Sequence, residues 1–148
     1  MRKKNKTFIF IFSLFFFILD QFLKWQSLHT WNKAHLLNNF FGWQPFLNSG
    51  IAFGLPLPNW ITISFTILVL ITLIYLIKIY LTQKTTGLKL FAMCLIISGA
   101  ISNLTDRLLY SHTIDYLLVF TTVINIADCL IVIGFTVFFL QNHRKINL

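Results

Sequence analysis

Long apolar runs broken by a few polar positions dominate the chain. The first run extends from about residue 8 to 25 and carries Asp20 and Gln21 near its end; others cover about 60–81, 88–109 and 120–140. Each approaches the ~20 residues that cross ~30 Å of hydrocarbon as a helix. The second and fourth are rich in β-branched residues, but their length and lack of turn signals favour helices, whose backbone groups are satisfied internally. The pattern predicts an all-α integral membrane protein of four transmembrane helices, forming one membrane domain over 1–148. The stretch from about 26 to 59 differs: aromatic residues alternate with Asn, Gly and Pro, predicting a small β-containing cap between helices one and two. The first run is followed by Asp-Gln-Phe-Leu-Lys-Trp rather than a small-residue cleavage site, so a retained helix is expected.

Composition agrees with the class. Of 148 residues, 57% are hydrophobic and 11% charged, which no ordinary soluble domain resembles. The net charge of +8 does not point to nucleic acid, because the basic residues flank the apolar runs. Arg2, Lys3, Lys4, Lys6, Lys78, Lys84, Lys89, Arg144 and Lys145 fall on one side of the expected topology, and Lys24, Lys33 and Arg107 on the other. Positive charge collects on the cytoplasmic side, so both termini are expected inside and the cap outside. Cys94 and Cys129 sit in apolar runs, and the four histidines show no ligand spacing, so no metal site is expected. No small-residue seam suggests a dimer, and a monomer contacting membrane lipids is expected.

All four acidic residues are aspartates, and all lie within or beside apolar runs. A carboxylate near hydrocarbon is costly, and its default reading is functional. In the expected topology Asp20, Asp106, Asp115 and Asp128 gather near the outer interface. Asp115, in the short outer connection, could be a helix N-cap or half of an acid–base pair. Asp128, expected about two turns into helix four, has no capping role open to it, and Asn125 lies three residues before it on the same helix face. Two carboxylates at low dielectric share a proton, one then serving as base and the other as acid. Gly99, Ser102, Asn103, Asp106 and Arg107 suit either helix packing with an interfacial ion pair or substrate positioning. Asp20, with Gln21 and Lys24, reads as structural. Asn48 and Gly50 mark a turn.

Five ordered blocks carry a resemblance. They are Asp20-Gln21 with Lys24, Asn48-Ser-Gly-Ile-Ala-Phe-Gly54, Ser98 to Arg107, Ile114-Asp115-Tyr116, and Asn125-Ile-Ala-Asp128. On these the chain resembles lipoprotein signal peptidase (signal peptidase II) over nearly its whole length. The resemblance implies an aspartyl endopeptidase of the bacterial cytoplasmic membrane, its site toward the outer face. Such an enzyme removes signal peptides from diacylglyceryl-modified prolipoproteins, cutting before the lipidated cysteine. It implies Asp115 and Asp128 as the catalytic pair. Asp20, Asn48, Gly50, Asn103, Asp106, Arg107 and Asn125 would line or support the site, without metal or organic cofactor. Leu23, Ser98, Ser102 and Ile124 depart from the family's usual pattern, and the connection between the paired aspartates is short; no departure removes a catalytic group. The competing readings are a small proton- or cation-coupled carrier, or a silent membrane scaffold. The carrier would put polar residues at mid-membrane in several helices, whereas here they keep to one end.

Overall fold

The computed structural model describes residues 3–50, 57–82 and 87–143. Helix α1 (Lys3–His29) leads into strands β1 (His35–Leu36) and β2 (Phe41–Asn48), then helices α2 (Asn59–Thr82) and α3 (Gly87–Tyr110). Strands β3 (Thr113–Val119) and β4 (Thr122–Ile124) precede helix α4 (Ile126–His143). Three helices are long and apolar enough to cross a membrane, namely Lys6–His29, Asn59–Thr82 and Gly87–Tyr110; α4 is apolar but shorter.

The helices are turned inside out relative to a soluble bundle. Along α1, Phe8, Ile11, Phe15, Ile18, Phe22 and Trp25 recur at helical spacing and stay exposed, while Ser13, Asp20, Lys24 and Ser27 are buried. Phe65, Leu68, Ile71 and Tyr75 form a similar exposed stripe on α2. Apolar faces outward with polar faces inward suit a hydrocarbon solvent. This is a membrane protein.

Helix α3 is the central element, packing against the other three helices. Leu73, Met93 and Ile96 join α2 to α3, and Ile9, Leu90 and Cys94 join α1 to α3. Two glycines let α4 approach closely. A Cβ on Gly99 would strike the Ala127 carbonyl oxygen and Ile131, and one on Gly134 would strike the Ala92 oxygen and Ile96.

The sheet differs from the expected cap. Its antiparallel order is β1-β2-β3-β4, so two of its strands come from the α3–α4 connection and not from the segment between helices one and two. The register runs from Phe41 opposite Val119 to Asn48 opposite Thr113, with an irregularity between Trp43 and Phe46. Pro45, which has no N–H for a ladder, falls within it. The fourth apolar run is also divided: Thr122-Val-Ile pairs with β3, and the helix starts at Ile126 rather than near 120. β-branched residues next to a partner strand form sheet, and Asn125 then caps the helix.

Candidate active site

All four aspartates meet at the end of the bundle that carries the sheet. Asp20 comes from α1, Asp106 from α3, Asp115 from β3 and Asp128 from α4. Asp115 is therefore a strand residue rather than a helix N-cap. It faces Phe46 across the ladder and is only 1% exposed. Asp128 is the third residue of α4, not two turns into it, and it does take part in a cap. Asn125 Oδ1 accepts the Asp128 N–H at 2.9 Å, and Asp128 Oδ2 accepts the Asn125 N–H at 3.3 Å. This reciprocal pair is a capping box, hidden in the sequence because Asn and Asp replace the commoner Ser/Thr and Glu.

Three asparagines serve the Asp115–Asp128 pair, and each is oriented by a fixed partner. Asn125 Oδ1 is taken by its own helix, so Nδ2 turns to Asp115 Oδ1 at 2.6 Å. Asn48 Oδ1 accepts Gly50 N–H at 2.9 Å, so its Nδ2 turns to Asp115 Oδ2 at 2.9 Å. Asn103 Oδ1 accepts Lys24 Nζ at 2.9 Å, so its Nδ2 reaches Asp128 Oδ1 at 2.9 Å. Asn125 Nδ2 also contacts Asn103 Oδ1 at 3.2 Å, linking the two carboxylates' surroundings. Amide donors aimed at both carboxylates favour charge there. Burial acts the other way: together with the neighbouring Asp128 charge, it pushes Asp115 up to about 6, against its asparagine donors.

Behind the pair lies a buried ion cluster. Lys24 Nζ is 2.8 Å from both Asp20 Oδ2 and Asp106 Oδ2, and all three residues are at most 1% exposed. Each carboxylate reaches one residue short of the pair. Asp20 Oδ1 accepts the Ala127 N–H, next to Asp128, and Asp106 Oδ2 accepts the Ile114 N–H, next to Asp115; both bonds are 3.2 Å. Ser102, one of the departures from the family pattern, donates to Asp20 at 2.6 Å and accepts from Gln21 at 2.8 Å. Asp106 thus pairs with Lys24 and not with its neighbour Arg107. The Arg107 guanidinium is buried instead, bonded to the Gly50 carbonyl and, at 3.4 Å, to Asn59 Oδ1. It holds the turn that orients Asn48. Residues 51–54 of that sequence block lie outside the described residues. Among the described residues no group of three His, Cys, Asp or Glu side chains is arranged to hold a metal ion.

Comparison with known proteins identifies the family. The family profile described as Signal peptidase (SPase) II matches residues 12–144. The chain belongs to the signal peptidase II family. Among curated signal peptidase II relatives, the lipoprotein signal peptidase of Neisseria meningitidis serogroup C (strain 053442) is 30% identical over 95% of this chain and 93% of its own. That of Janthinobacterium sp. (strain Marseille) is 35% identical over 88% and 84%. A solved structure, described as a bacterial membrane enzyme obtained by the in meso method at 2.3 Å resolution, has a TM-score of 0.81. It is 22% identical to this chain, covering 98% of this chain and 91% of its own, so it shares the fold. As a member of the signal peptidase II family, the chain is a peptidase. The carrier reading finds no support in these relatives.

The sequence groups Lys24 with Asp20 and Gln21 in a structural role, and its i, i+4 spacing from Asp20 matches the ion pair found. Tyr116 stands in the block Ile114-Asp115-Tyr116, but nothing in that pattern marks its hydroxyl.

Proposed function

We propose that this protein is a membrane aspartyl endopeptidase that removes the signal peptide from diacylglyceryl-modified prolipoproteins, cutting before the lipidated cysteine. The reading rests on one observation above all: two carboxylates, buried Asp115 on β3 and half-buried Asp128 on α4, are both held by Asn125, one by its side-chain amide and the other by its backbone N–H. One proton shared by Asp115 and Asp128 suffices for peptide hydrolysis. The ionised carboxylate takes a proton from water as its oxygen attacks the scissile carbonyl carbon. The protonated partner gives its proton to the carbonyl oxygen. The resulting diol then collapses: the C–N bond breaks as the leaving nitrogen takes a proton from the first carboxyl group, and one diol hydroxyl returns its proton to the partner carboxylate, leaving a carboxylic acid and one proton on the pair. The asparagine amides keep each carboxylate aimed throughout.

In this reading α4 completes a four-span topology with both termini cytoplasmic, in the bacterial cytoplasmic membrane. The sheet then rests at the outer surface, where a lipid-anchored signal peptide presents its cleavage site. Exposed Leu37, Phe40 and Phe120 on the sheet end suit contact with lipid. Asp20, Asn48, Gly50, Asn103, Asp106, Arg107 and Asn125 support the pair, and the working unit is a monomer.

The test is a gel-shift cleavage assay on a diacylglyceryl prolipoprotein. Wild type should cleave, while folded Asp115→Asn and Asp128→Asn should not. Near-normal turnover by either variant overturns the assignment of the pair.

A further inference from the structure

Tyr116 follows Asp115 on β3 and is completely buried. Its ring stacks on Trp43 with centroids 4.9 Å apart. Phenylalanine would fill the same space, so packing alone does not account for the hydroxyl. The hydroxyl makes two hydrogen bonds, and both lead toward Asp128. It donates to Asp20 Oδ1 at 2.8 Å and accepts the Ile126 N–H at 3.2 Å. Ile126 opens α4, where the helix cannot satisfy its own amides. The same Asp20 oxygen takes the next amide, Ala127. Asp128 follows immediately.

One residue therefore joins the two halves of the site. Through its backbone it continues from Asp115, and through its hydroxyl it holds the start of the Asp128 helix. Asn125 makes a separate tie at the level of the carboxylates themselves, its Nδ2 donating to Asp115 and its backbone N–H to Asp128. A single tie fixes a separation but permits rotation about itself. A second, displaced along the strand, removes that freedom. Reacting groups need placement within about 0.5 Å, so a lost tie is felt in the rate.

We propose that Tyr116 is a positioning residue for hydrolysis: its hydroxyl, bonded to Asp20 and to the Ile126 amide, sets the orientation of Asp115 relative to Asp128. The proposal rests on the dyad reading above.

The test compares full-length wild type, Tyr116→Phe and Trp43→Phe on a diacylglyceryl prolipoprotein, measuring kcat, KM, the pH dependence of kcat and thermal melting. Tyr116→Phe should lose about tenfold in kcat, the scale of one hydrogen bond. Its KM should hold, and its pH midpoint should move. Trp43→Phe, which loosens the same ring without touching the hydroxyl, should lower the melting temperature and leave kcat per folded molecule unchanged. A Tyr116→Phe enzyme with wild-type kcat and pH midpoint overturns the proposal. So does an equal kcat loss in both variants. Should Tyr116→Phe not fold, 3-fluorotyrosine placed at 116 keeps the ring but makes the hydroxyl a stronger donor and weaker acceptor. A changed kcat and pH midpoint then upholds the proposal, and unchanged values overturn it. Failure of wild type to cleave would instead overturn the functional reading, which keeps the two failures apart.

Discussion

The Lys24 ammonium lies 2.9 Å from Asn103 Oδ1 and thereby decides which end of that amide faces Asp128. One buried cation on α1 thus controls a hydrogen-bond donor on α3 that serves a carboxylate on α4. Its other partners, Asp20 and Asp106, hold the backbone beside each member of the pair.

Removing that cation should be severe. Lys24→Met leaves two buried carboxylates facing each other, and breaking such a cluster costs about 3–5 kcal/mol. Melting in detergent should show a large loss, and adding Asp106→Asn should restore part of it by removing one unpaired charge. No recovery in the double variant would contradict this account of the cluster.

The pH dependence of cleavage follows from Asp115. Burial, and then the Asp128 charge, raise it to about 6. On the proposed mechanism the working form holds one proton between the two carboxylates, so as pH rises through about 6 that proton is lost and the rate falls. A profile of kcat/KM against pH should show an alkaline limb well above the ordinary carboxylate range. A limb near pH 4 would contradict it.

The same shift acts on stability with a definite sign. Asp115 releases its proton near 3.9 when unfolded and near 6 when folded, so the folded state binds it more tightly. Below pH ~4 the group contributes nothing; between ~4 and ~6 it becomes unfavourable, and above ~6 the penalty is complete. Asp115→Asn, which cannot ionise, should melt above wild type at pH 7.5, by order 2 kcal/mol, and lose that advantage near pH 4. Melting curves at the two pH values check both halves.

Gly99→Ala tests the helix contact beneath the site. The added methyl would meet the Ala127 carbonyl and Ile131, forcing α4 away from α3. A loss of about 1–3 kcal/mol is expected, the usual scale for overpacking. Because Asp128 follows Ala127, kcat should fall as well. The melting temperature and single-turnover rate of the variant report the two effects separately.

The helices were legible because lipid imposes a simple pattern: predicted spans at 60–81 and 88–109 match α2 and α3 to within a residue at each end. The failure at 120 has a physical cause. Apolarity marks burial or lipid contact but does not separate strand from helix, and Thr122-Val-Ile needed its partner β3 to show which it was. Gathering of the aspartates was legible from depth alone. Their division of labour was not, because Asp20 and Asp106 act on backbone amides about 107 and 8 residues away, which no local pattern encodes. Arg107 was ambiguous for a similar reason: its partner, the Gly50 carbonyl, is 57 residues distant.

Strand β2 precedes α2, whereas β3 follows α3, and Asn48 meets Asp115 across 67 residues. The order of synthesis therefore matters. While α4 is still unmade, a nascent chain lacks Asp128, Asn125 and the amides that Asp20 and Tyr116 hold. On the proposed reading a chain stalled before α4 holds only half of the carboxylate pair and cannot cleave, so competence arrives only when the last helix seats against α3.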